Sequence, residues 1–176
     1  MKTLYLLRHA KSSRTAVTVE DFDRPLTKRG RAAATAMGAY MAKHNLSPAQ
    51  VLCSSAKRTR ETLERLQEAL GPVPARFEKG IYMAEAAALL RRVRRLNDTL
   101  ASVMLIGHNP GLEQLALSLA TGGDADLRRQ IAAKFPTAGL AVIEADVDRW
   151  SDVKPGSSRL SAFVRPKDLD PALGAS

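Results

Sequence analysis

The stretch Leu4-Tyr5-Leu6-Leu7-Arg8-His9-Ala10 lies near the start of the chain and joins an apolar run to two polar groups. The four apolar residues are typical of a buried strand, and Arg8 and His9 follow where that strand would reach solvent. Open α/β sheets bind their ligands at the carboxyl ends of strands. His9 can act there as a nucleophile or base, and Arg8 can hold an anion. This stretch therefore predicts an α/β fold with a site at the end of its first strand.

Segments of strand and helix character alternate along the rest of the chain. Apolar runs predict strands at residues 3–7, 51–54, 103–106 and 140–144, with weaker candidates at 76–79 and 160–164. Helical periodicity predicts helices from a cap at Thr27 to about residue 43, and over about 56–70, 86–97 and 110–120. Such alternation is typical of an α/β fold, here a three-layer α/β/α sandwich with a mostly parallel central sheet.

The length and composition are those of one globular domain. The 176 residues fit a single domain, assigned to residues 1–165, and the Pro-, Asp-, Gly- and Ser-containing segment 166–176 predicts a flexible tail. No apolar run reaches the roughly 20 residues that span a bilayer, so no membrane association is expected. The single cysteine, Cys53, fits a buried strand position and a reducing cytoplasm. Because no heptad pattern or long exposed apolar face is evident, we expect a monomer.

The formal net charge of +9 predicts attraction to anions, whether nucleic acids, acidic proteins or phosphorylated small molecules. The basic residues are spread along the chain, and only 5% of the residues are aromatic, which leaves little surface for base stacking. A nucleic-acid partner is therefore not expected. A basic nucleic-acid-binding or scaffolding protein without catalysis is kept as the non-enzyme alternative.

Two later segments are similar to the first, because each follows a predicted strand and leads into a predicted helix. In Ser54-Ser55-Ala56-Lys57-Arg58-Thr59-Arg60 a serine is expected to cap the helix, and three cations follow in its first turn. Cations there oppose the helix dipole, so they either form an anion site or point into water. In Ile106-Gly107-His108-Asn109-Pro110-Gly111, Asn109 is expected to cap the helix. Parallel strands would bring His108 to the same crevice as His9.

The residue pattern argues against metal, nucleotide and serine-hydrolase chemistry. Neither His9 nor His108 has a companion ligand at metal spacing, and the chain has no Gly-x-Ser-x-Gly elbow or Gly-rich nucleotide loop. We therefore expect no metal and no cofactor. The remaining chemistry is metal-free phosphoryl transfer, in which His9 attacks phosphorus while Arg8 and Arg58 neutralise the phosphate oxygens. His108 would donate a hydrogen bond, and water would then hydrolyse the phosphohistidine.

Four motifs resemble those of the histidine phosphatase (phosphoglycerate mutase-like) superfamily. They are Leu7-Arg8-His9-Ala10, Ser54-Ser55 with Arg58 and Thr62, Gly107-His108, and Asp23-Arg24-Pro25-Leu26-Thr27 with Gly30. The short length and the Gly-His-Asn-Pro-Gly turn are similar to SixA-type phosphohistidine phosphatases. The resemblance spans about residues 2–145 and implies a phosphoglycerate mutase-like fold, a phosphorylated nucleophile at His9 and a basic residue near the pocket mouth at Arg24. The phosphate-binding residues that it implies are Arg8, Arg58 and His108.

The general acid of this superfamily has no clear match in the chain. Many members carry a Glu in a larger insertion, for which this compact chain has little room, and Ala10 replaces the usual glycine after the histidine. The candidates are Glu85, which fits better as a helix-start acid, and Asp21 or Asp23. Phosphoramidates lose their leaving group more readily than esters, so a site short of an acid favours phosphohistidine on a protein. The alternative is a broad-specificity phosphomonoesterase acting on small phosphorylated molecules.

Overall fold

A computed structural model describes residues 1–14 and 18–174 of the chain. In these residues there are seven strands: β1 (Lys2–Arg8), β2 (Gln50–Ser54), β3 (Ala75–Glu78), β4 (Ser102–Gly107), β5 (Ala120–Gly123), β6 (Leu140–Ala145) and β7 (Ser158–Val164). The six α-helices are α1 (Lys28–Lys43), α2 (Lys57–Leu70), α3 (Ala86–Val93), α4 (Gly111–Leu119), α5 (Ala125–Ala133) and α6 (Pro166–Leu169). Short 3-10 helices lie at Asp21–Asp23, Lys79–Ile81, Trp150–Asp152 and Pro171–Leu173.

The seven strands form one sheet in the order β3-β2-β4-β1-β6-β7-β5. The β3-β2, β2-β4, β4-β1 and β7-β5 pairs are parallel, while β6 runs antiparallel to both of its neighbours. The sheet is thus mostly parallel, which confirms the predicted fold class. Because β2, β4 and β1 are adjacent and parallel, their carboxyl ends lie side by side at one edge of the sheet.

Alternate residues of β1 face opposite layers of helices. Leu4 and Leu6 belong to a core that includes residues of α3, α4 and α5, whereas Tyr5 and Leu7 belong to a core that includes residues of α1 and α2. Each leucine buried in this way contributes roughly 1.5–3 kcal/mol by leaving water. The two cores on the two faces of the sheet confirm the three-layer sandwich.

Close contacts of two glycines fix α1 beside the end of β1. The Thr27 side chain accepts a hydrogen bond from the Gly30 N–H at 3.0 Å, so Thr27 caps α1 as predicted. A Cβ atom on Gly30 would lie 2.1 Å from the Lys11 carbonyl oxygen, and one on Gly38 would lie 2.5 Å from that of Leu66 in α2. Glycine is therefore required at both positions, and α1 packs closely on α2 and on the segment that follows His9.

The sequence pattern does not predict β5 and α5. The β5 segment is Ala120-Thr121-Gly122-Gly123, whose glycines have low β-propensity, and it forms by pairing with β7 at the edge of the sheet. The α5 helix packs Leu127 and Ile131 against the core, which is too short a pattern to mark a helix. In addition, α3 ends at Val93, short of the predicted residue 97.

The C-terminal segment contains short helical turns where its composition suggests an irregular tail. The α6 helix and the turn at Pro171–Leu173 contact α1, and Pro166 is buried. Residues 175–176, the end of the predicted tail, lie outside the described residues. The division into a domain at residues 1–165 and a flexible tail stays a prediction. No helix within the described ranges is both long and apolar enough to cross a membrane.

Candidate active site

The ends of β1 and β4 bring two histidines together. The parallel register pairs Arg8 with Gly107, so His9 and His108 each follow the end of one of these neighbouring strands. The His9 N–H donates to the Gly107 carbonyl at 3.1 Å, and the ring centroids of the two histidines are 5.3 Å apart. Both residues are buried, with 7% and 3% of their surface exposed. The two strand-to-helix junctions therefore form one crevice.

The His9 ring is held so that one nitrogen is free. Its Nδ1 lies 2.7 Å from the Ala10 carbonyl oxygen. Because a carbonyl oxygen only accepts, Nδ1 carries the proton and Nε2 carries the lone pair. Burial holds the pKa of His9 well below its usual value, and the neighbouring His108, Arg58 and Arg8 lower it further. At pH 7 the ring is neutral, with a lone pair suited to nucleophilic attack.

The His108 ring is held by its other nitrogen. Its Nε2 lies 2.7 Å from the Ser54 hydroxyl oxygen, which also accepts a hydrogen bond from the Ala56 N–H at 3.3 Å. Among the described residues, the acceptor within reach of the Ser54 hydroxyl proton is Nε2 of His108. Nε2 therefore carries the lone pair of the ring, and Nδ1 carries its proton. That Nδ1 is buried and has no hydrogen-bond partner in the described part of the chain. Burial and the charge of Arg58 lower the pKa of His108 to about 3, so this ring is also neutral.

Two arginines add positive charge beside the histidines. Arg58, in the first turn of α2, is 2% exposed and donates to the Asp21 carbonyl at 2.7 Å and to the Asp21 carboxylate at 3.1 Å. Arg8 donates to the Phe135 carbonyl at 3.0 Å. The Nε–H of each arginine is buried, with no partner among the described residues. Together with Nδ1 of His108 they make three unpaired donors, which suit a tetrahedral anion.

The sequence leaves open whether the cations at the start of α2 form an anion site or point into water, and Arg58 and Arg60 differ in this respect. Arg58 points into the site, whereas Arg60 is exposed and donates to a backbone carbonyl of its own helix start at 2.9 Å. The expected serine cap is wrong. Ala56 is the N-cap residue of α2, and no side chain caps the helix, because the Ser54 hydroxyl is engaged with His108 instead.

Thr62 ties the segment after β1 to α2. Its hydroxyl accepts a hydrogen bond from the Ala10 N–H at 3.0 Å and donates to the Arg58 carbonyl at 2.6 Å. Thr62 is fully buried. These two bonds hold the backbone beside His9 in a fixed place relative to the helix that carries Arg58.

The Asn109 side chain binds the Phe135 carbonyl and does not cap α4. Its side-chain amide donates to the Phe135 carbonyl at 2.9 Å, the same carbonyl that accepts from Arg8. The helix begins at Gly111 and its N-cap residue is Pro110. The predicted Asn109 cap is therefore wrong: a cap would use the side-chain oxygen Oδ1, which is buried and has no hydrogen-bond partner in the described residues, while the amide nitrogen donates to Phe135.

Arg24 and Asp21 form an ion pair near His108. Arg24 donates to the Ser12 hydroxyl at 2.6 Å and to the Asp21 carboxylate at 3.0 Å. A hydrogen bond from Tyr82, helped by the charge of Arg58, lowers the pKa of Asp21 to about 2. At neutral pH this carboxylate is therefore ionised and has no proton to give as a general acid.

The other two acid candidates do not join this cluster. Asp23 and Glu85 are exposed, and neither side chain makes a hydrogen bond or an ion pair with another described residue. Glu85 directly precedes α3, where a carboxylate interacts favourably with the helix dipole. The structure thus brings together four of the predicted residues, with Arg24 beside them. Of the three acid candidates, Asp21 is ionised, and Asp23 and Glu85 lie outside the hydrogen-bonded cluster.

Tyr82 is the site residue that the sequence pattern misses. Its hydroxyl donates to the Asp21 carboxylate, and its ring packs edge-on against His108 with 5.3 Å between ring centroids. The Arg58 guanidinium lies 5.8 Å from the centre of the same ring. Tyr82 follows the 3-10 helix at Lys79–Ile81, where neither strand nor helix periodicity marks an inward position.

A cavity of about 770 Å³ opens beside His9. Its lining includes Arg8, His9 and Arg24, and it extends to the starts of α1 and α6 and to the segment after α5. Arg58 and His108 are not part of this lining, so the cavity adjoins the phosphate-sized crevice rather than containing it. Within residues 1–14 and 18–174, no group of three His, Cys, Asp or Glu side chains is arranged to hold a metal ion.

Comparisons with known proteins find related sequences over most of the chain. Residues 4–82 match the model of the histidine phosphatase superfamily (branch 1). An uncharacterized protein of Mycobacterium tuberculosis is 34% identical over 163 residues, and the match covers 92% of this chain and 100% of that protein.

Solved structures share the fold over nearly the whole chain. An Agrobacterium tumefaciens protein described as a "putative phosphohistidine phosphatase SixA" is 31% identical with a TM-score of 0.78, and the match covers 94% of this chain and 98% of that one. The protein histidine phosphatase SixA complexed with tungstate is 22% identical with a TM-score of 0.78, covering 96% of this chain and 99% of that one. The second likeness shows the fold alone.

Proposed function

The chain belongs to the histidine phosphatase superfamily, and on that premise we propose that it is a metal-independent phosphatase that forms a phosphohistidine on His9. We propose further that its substrate is a phosphohistidine side chain on another protein. Membership of the superfamily supports phosphatase activity through a histidine. The likeness to the Agrobacterium protein supports the substrate class.

The observation that carries this proposal is the set of unpaired nitrogen atoms around His9. Nε2 of His9 has a free lone pair, because Nδ1 is bound to the Ala10 carbonyl. Three buried N–H groups of Arg8, Arg58 and His108 have no partner in the described residues. Each such group costs about 1–3 kcal/mol when it is left unpaired. Because the three residues that carry these groups all act on the His9 ring, the unpaired donors support an anion that is attacked by His9.

The reaction consists of two displacements at phosphorus. In the first, Nε2 of His9 bonds to phosphorus while the phosphorus–nitrogen bond of the substrate breaks. The electron pair of that bond goes to the departing imidazole, which leaves as a neutral group because its other ring nitrogen already carries a proton. The two arginines Arg8 and Arg58 neutralise the phosphate oxygens, and Nδ1–H of His108 donates to one of them. In the second, water attacks phosphorus, the bond to His9 breaks, and its electron pair returns to Nε2, so His9 is neutral again with its proton on Nδ1. The protons of the water leave with the phosphate or pass to solvent.

The state of the neighbouring carboxylates favours a phosphorus–nitrogen substrate. Asp21 is ionised, while Asp23 and Glu85 are exposed and make no contact with the site. An alkoxide leaving group needs a proton from an acid in the transition state, whereas an imidazole departs as a neutral group with much less assistance. This chemistry supports phosphohistidine over a phosphate ester as the preferred substrate.

A comparison of two substrates in the presence of EDTA tests the proposal. One is a phosphohistidine peptide and the other is glycerol phosphate, a small ester whose leaving group is an alkoxide. We expect the higher kcat/KM for the peptide, with no loss of activity in EDTA. Faster turnover of the ester would contradict the protein substrate and favour small phosphate esters instead. Loss of activity in EDTA would contradict a metal-independent reaction.

The proposal includes a monomeric protein in the cytoplasm. The single cysteine, Cys53, is buried, and burial raises the pKa of its thiol to about 12, so the thiol stays protonated. The chain therefore depends on no internal disulfide, as expected of a protein in a reducing compartment. Light scattering of the purified protein tests the monomer.

A further inference from the structure

The cavity beside His9 carries more positive charge than one phosphate group requires. No Asp or Glu among the described residues lines it. The basic side chains that line it are Arg8, Lys11, Arg14, Arg24, Arg29, Lys134, Arg165 and Lys167. These residues come from segments that are far apart in the chain and that the fold brings together. A concave surface with one sign of charge concentrates ions of the opposite sign.

Most of these cations have no carboxylate partner. Arg24 pairs with Asp21 at 2.9 Å, and Arg165 pairs with Asp168 at 3.0 Å. Five of the remaining side chains make no ion pair with a described residue: Lys11, Arg14, Arg29, Lys134 and Lys167. Unpaired like charges repel one another, so their grouping is unfavourable in the free protein and becomes favourable when an anion binds.

Three of these cations lie on elements that do not carry Arg8, His9, Arg58 or His108. Arg29 lies at the start of α1, Lys134 follows α5, and Lys167 lies in α6. The side chains of these three residues make no hydrogen bond with a described residue, and Arg58 and His108 do not line the cavity that these three line. A phosphoryl group on His9 would leave Arg29, Lys134 and Lys167 free to bind something else.

The size of the cavity also exceeds what one phosphate fills. Its volume of about 770 Å³ lies within the roughly 300–1,000 Å³ of sites that hold whole small molecules. A phosphate group brings a charge of about −1.5 to −2 at pH 7. A single phosphoryl group at His9 therefore leaves most of the cavity volume unfilled and most of its positive charge without a counter-charge.

We propose that this cavity is a binding subsite for a second anionic group of the substrate, a carboxylate or a phosphate, held by Arg29, Lys134 and Lys167. This inference rests on the proposed function, because the substrate must carry its reacting phosphoryl group at His9. In a protein substrate the second group is an acidic side chain close to the phosphohistidine. In a small substrate it is a second phosphate.

The test uses substrates that differ in one anionic group. The first pair consists of phosphohistidine peptides with two Glu or two Gln residues beside the phosphohistidine, and the second of a sugar bisphosphate and the matching monophosphate. The double variant Lys134→Gln with Lys167→Gln removes two charges of the cavity. The matched control, Lys43→Gln with Lys154→Gln, removes two exposed charges outside its lining.

We expect the wild type to prefer the more anionic member of at least one pair. The cavity variant should lose that preference by about 5- to 30-fold, mainly through KM, since two exposed charge pairs contribute about 1–2 kcal/mol together. The control variant should keep the preference, and p-nitrophenyl phosphate, which has no second anion, should be turned over by both variants within about twofold of the wild type.

The outcomes separate the two sources of the second anion. Loss of the peptide preference assigns it to a protein, and loss of the bisphosphate preference assigns it to a small molecule. No preference in either pair, or a preference that survives the cavity variant, would overturn the subsite. If the ester is hydrolysed and the peptides are not, the protein substrate of the proposed function is wrong, and the bisphosphate pair still decides on the subsite.

Discussion

His9 and His108 follow the ends of adjacent parallel strands, yet their rings are held by opposite nitrogen atoms. Nδ1 of His9 donates to the Ala10 carbonyl, which leaves the Nε2 lone pair free. Nε2 of His108 accepts from the Ser54 hydroxyl, which leaves Nδ1–H free. The strand ends bring the two rings together, and the hydrogen bond behind each ring decides whether it offers a lone pair or a proton.

The two hydrogen bonds also differ in how firmly they set the proton. The Ala10 carbonyl belongs to the backbone and can only accept, so no side-chain change reverses the His9 ring. The Ser54 hydroxyl can donate or accept, so the state of His108 depends on one side chain and on the Ala56 N–H that donates to it. We therefore expect the nucleophile to be fixed by the fold and the donor to be sensitive to a single substitution.

The largest effect is expected from removing the nucleophile. His9→Ala should lower kcat by about 10⁴-fold or more, the scale on which enzymes lose activity when a covalent nucleophile is deleted. During turnover the wild type should also carry acid-labile phosphate on His9, which mass spectrometry of rapidly quenched protein would detect. His9→Ala should carry none.

His108→Ala is the matched control for this experiment. The loss of a hydrogen-bond donor to the developing charge should lower kcat by about 10²–10³-fold while the phosphate still forms on His9. Phosphate found on His108, or full activity of His9→Ala, would reverse the roles that the two hydrogen bonds assign.

The strand ends could be predicted from the sequence, but the hydrogen bonds behind the rings could not. Apolar runs identify β1 and β4, and the rule for open sheets brings the residues that follow them, His9 and His108, to one edge. Ser54 lies 54 residues before His108, and their contact depends on β2 lying next to β4. Strand order is a property of the whole sheet, which no local pattern contains.

The remaining parts of the site could not be predicted, for a similar reason. The contact of Asp21 with Tyr82 joins residues 61 positions apart, each near a short 3-10 helix without a recognisable period. The helix-dipole argument identified the α2 cations as unusual but gave no direction for any side chain. The motif resemblance singled out Arg58, but the burial of Arg58 and the exposure of Arg60 follow only from the packed structure.

A smaller effect is expected from the hydroxyl behind His108. Ser54→Ala removes the group that keeps the proton on Nδ1, so kcat should fall about tenfold, less than the 10²–10³-fold loss of a direct donor. Ser54→Thr keeps a hydroxyl and should restore most of the rate. Ser55→Ala, which changes a neighbouring serine whose side chain makes no hydrogen bond with a described residue, should match the wild type. Equal rates for the Ala and Thr variants of Ser54 would show that the hydroxyl does not position His108.

The smallest effect concerns stability in acid, which tests the burial of both rings without using activity. The folded-state pKa of His108 is about 3, and that of His9 also lies well below the usual 6.5. Below pH 6.5 the unfolded chain therefore binds more protons than the folded one, so the free energy of unfolding falls as the pH falls toward 3. Between pH 6.5 and 5.5 each ring should account for about 1 kcal/mol of this loss.

Urea unfolding at pH 6.5 and 5.5 measures this loss directly. His9→Gln and His108→Gln should each reduce the difference between the two pH values by about 1 kcal/mol, even where the substitution lowers stability overall, because glutamine does not titrate. If only the His9 variant reduced it, the His108 ring would be open to water in solution, and its Nδ1–H could not be the buried donor that distinguishes it from His9.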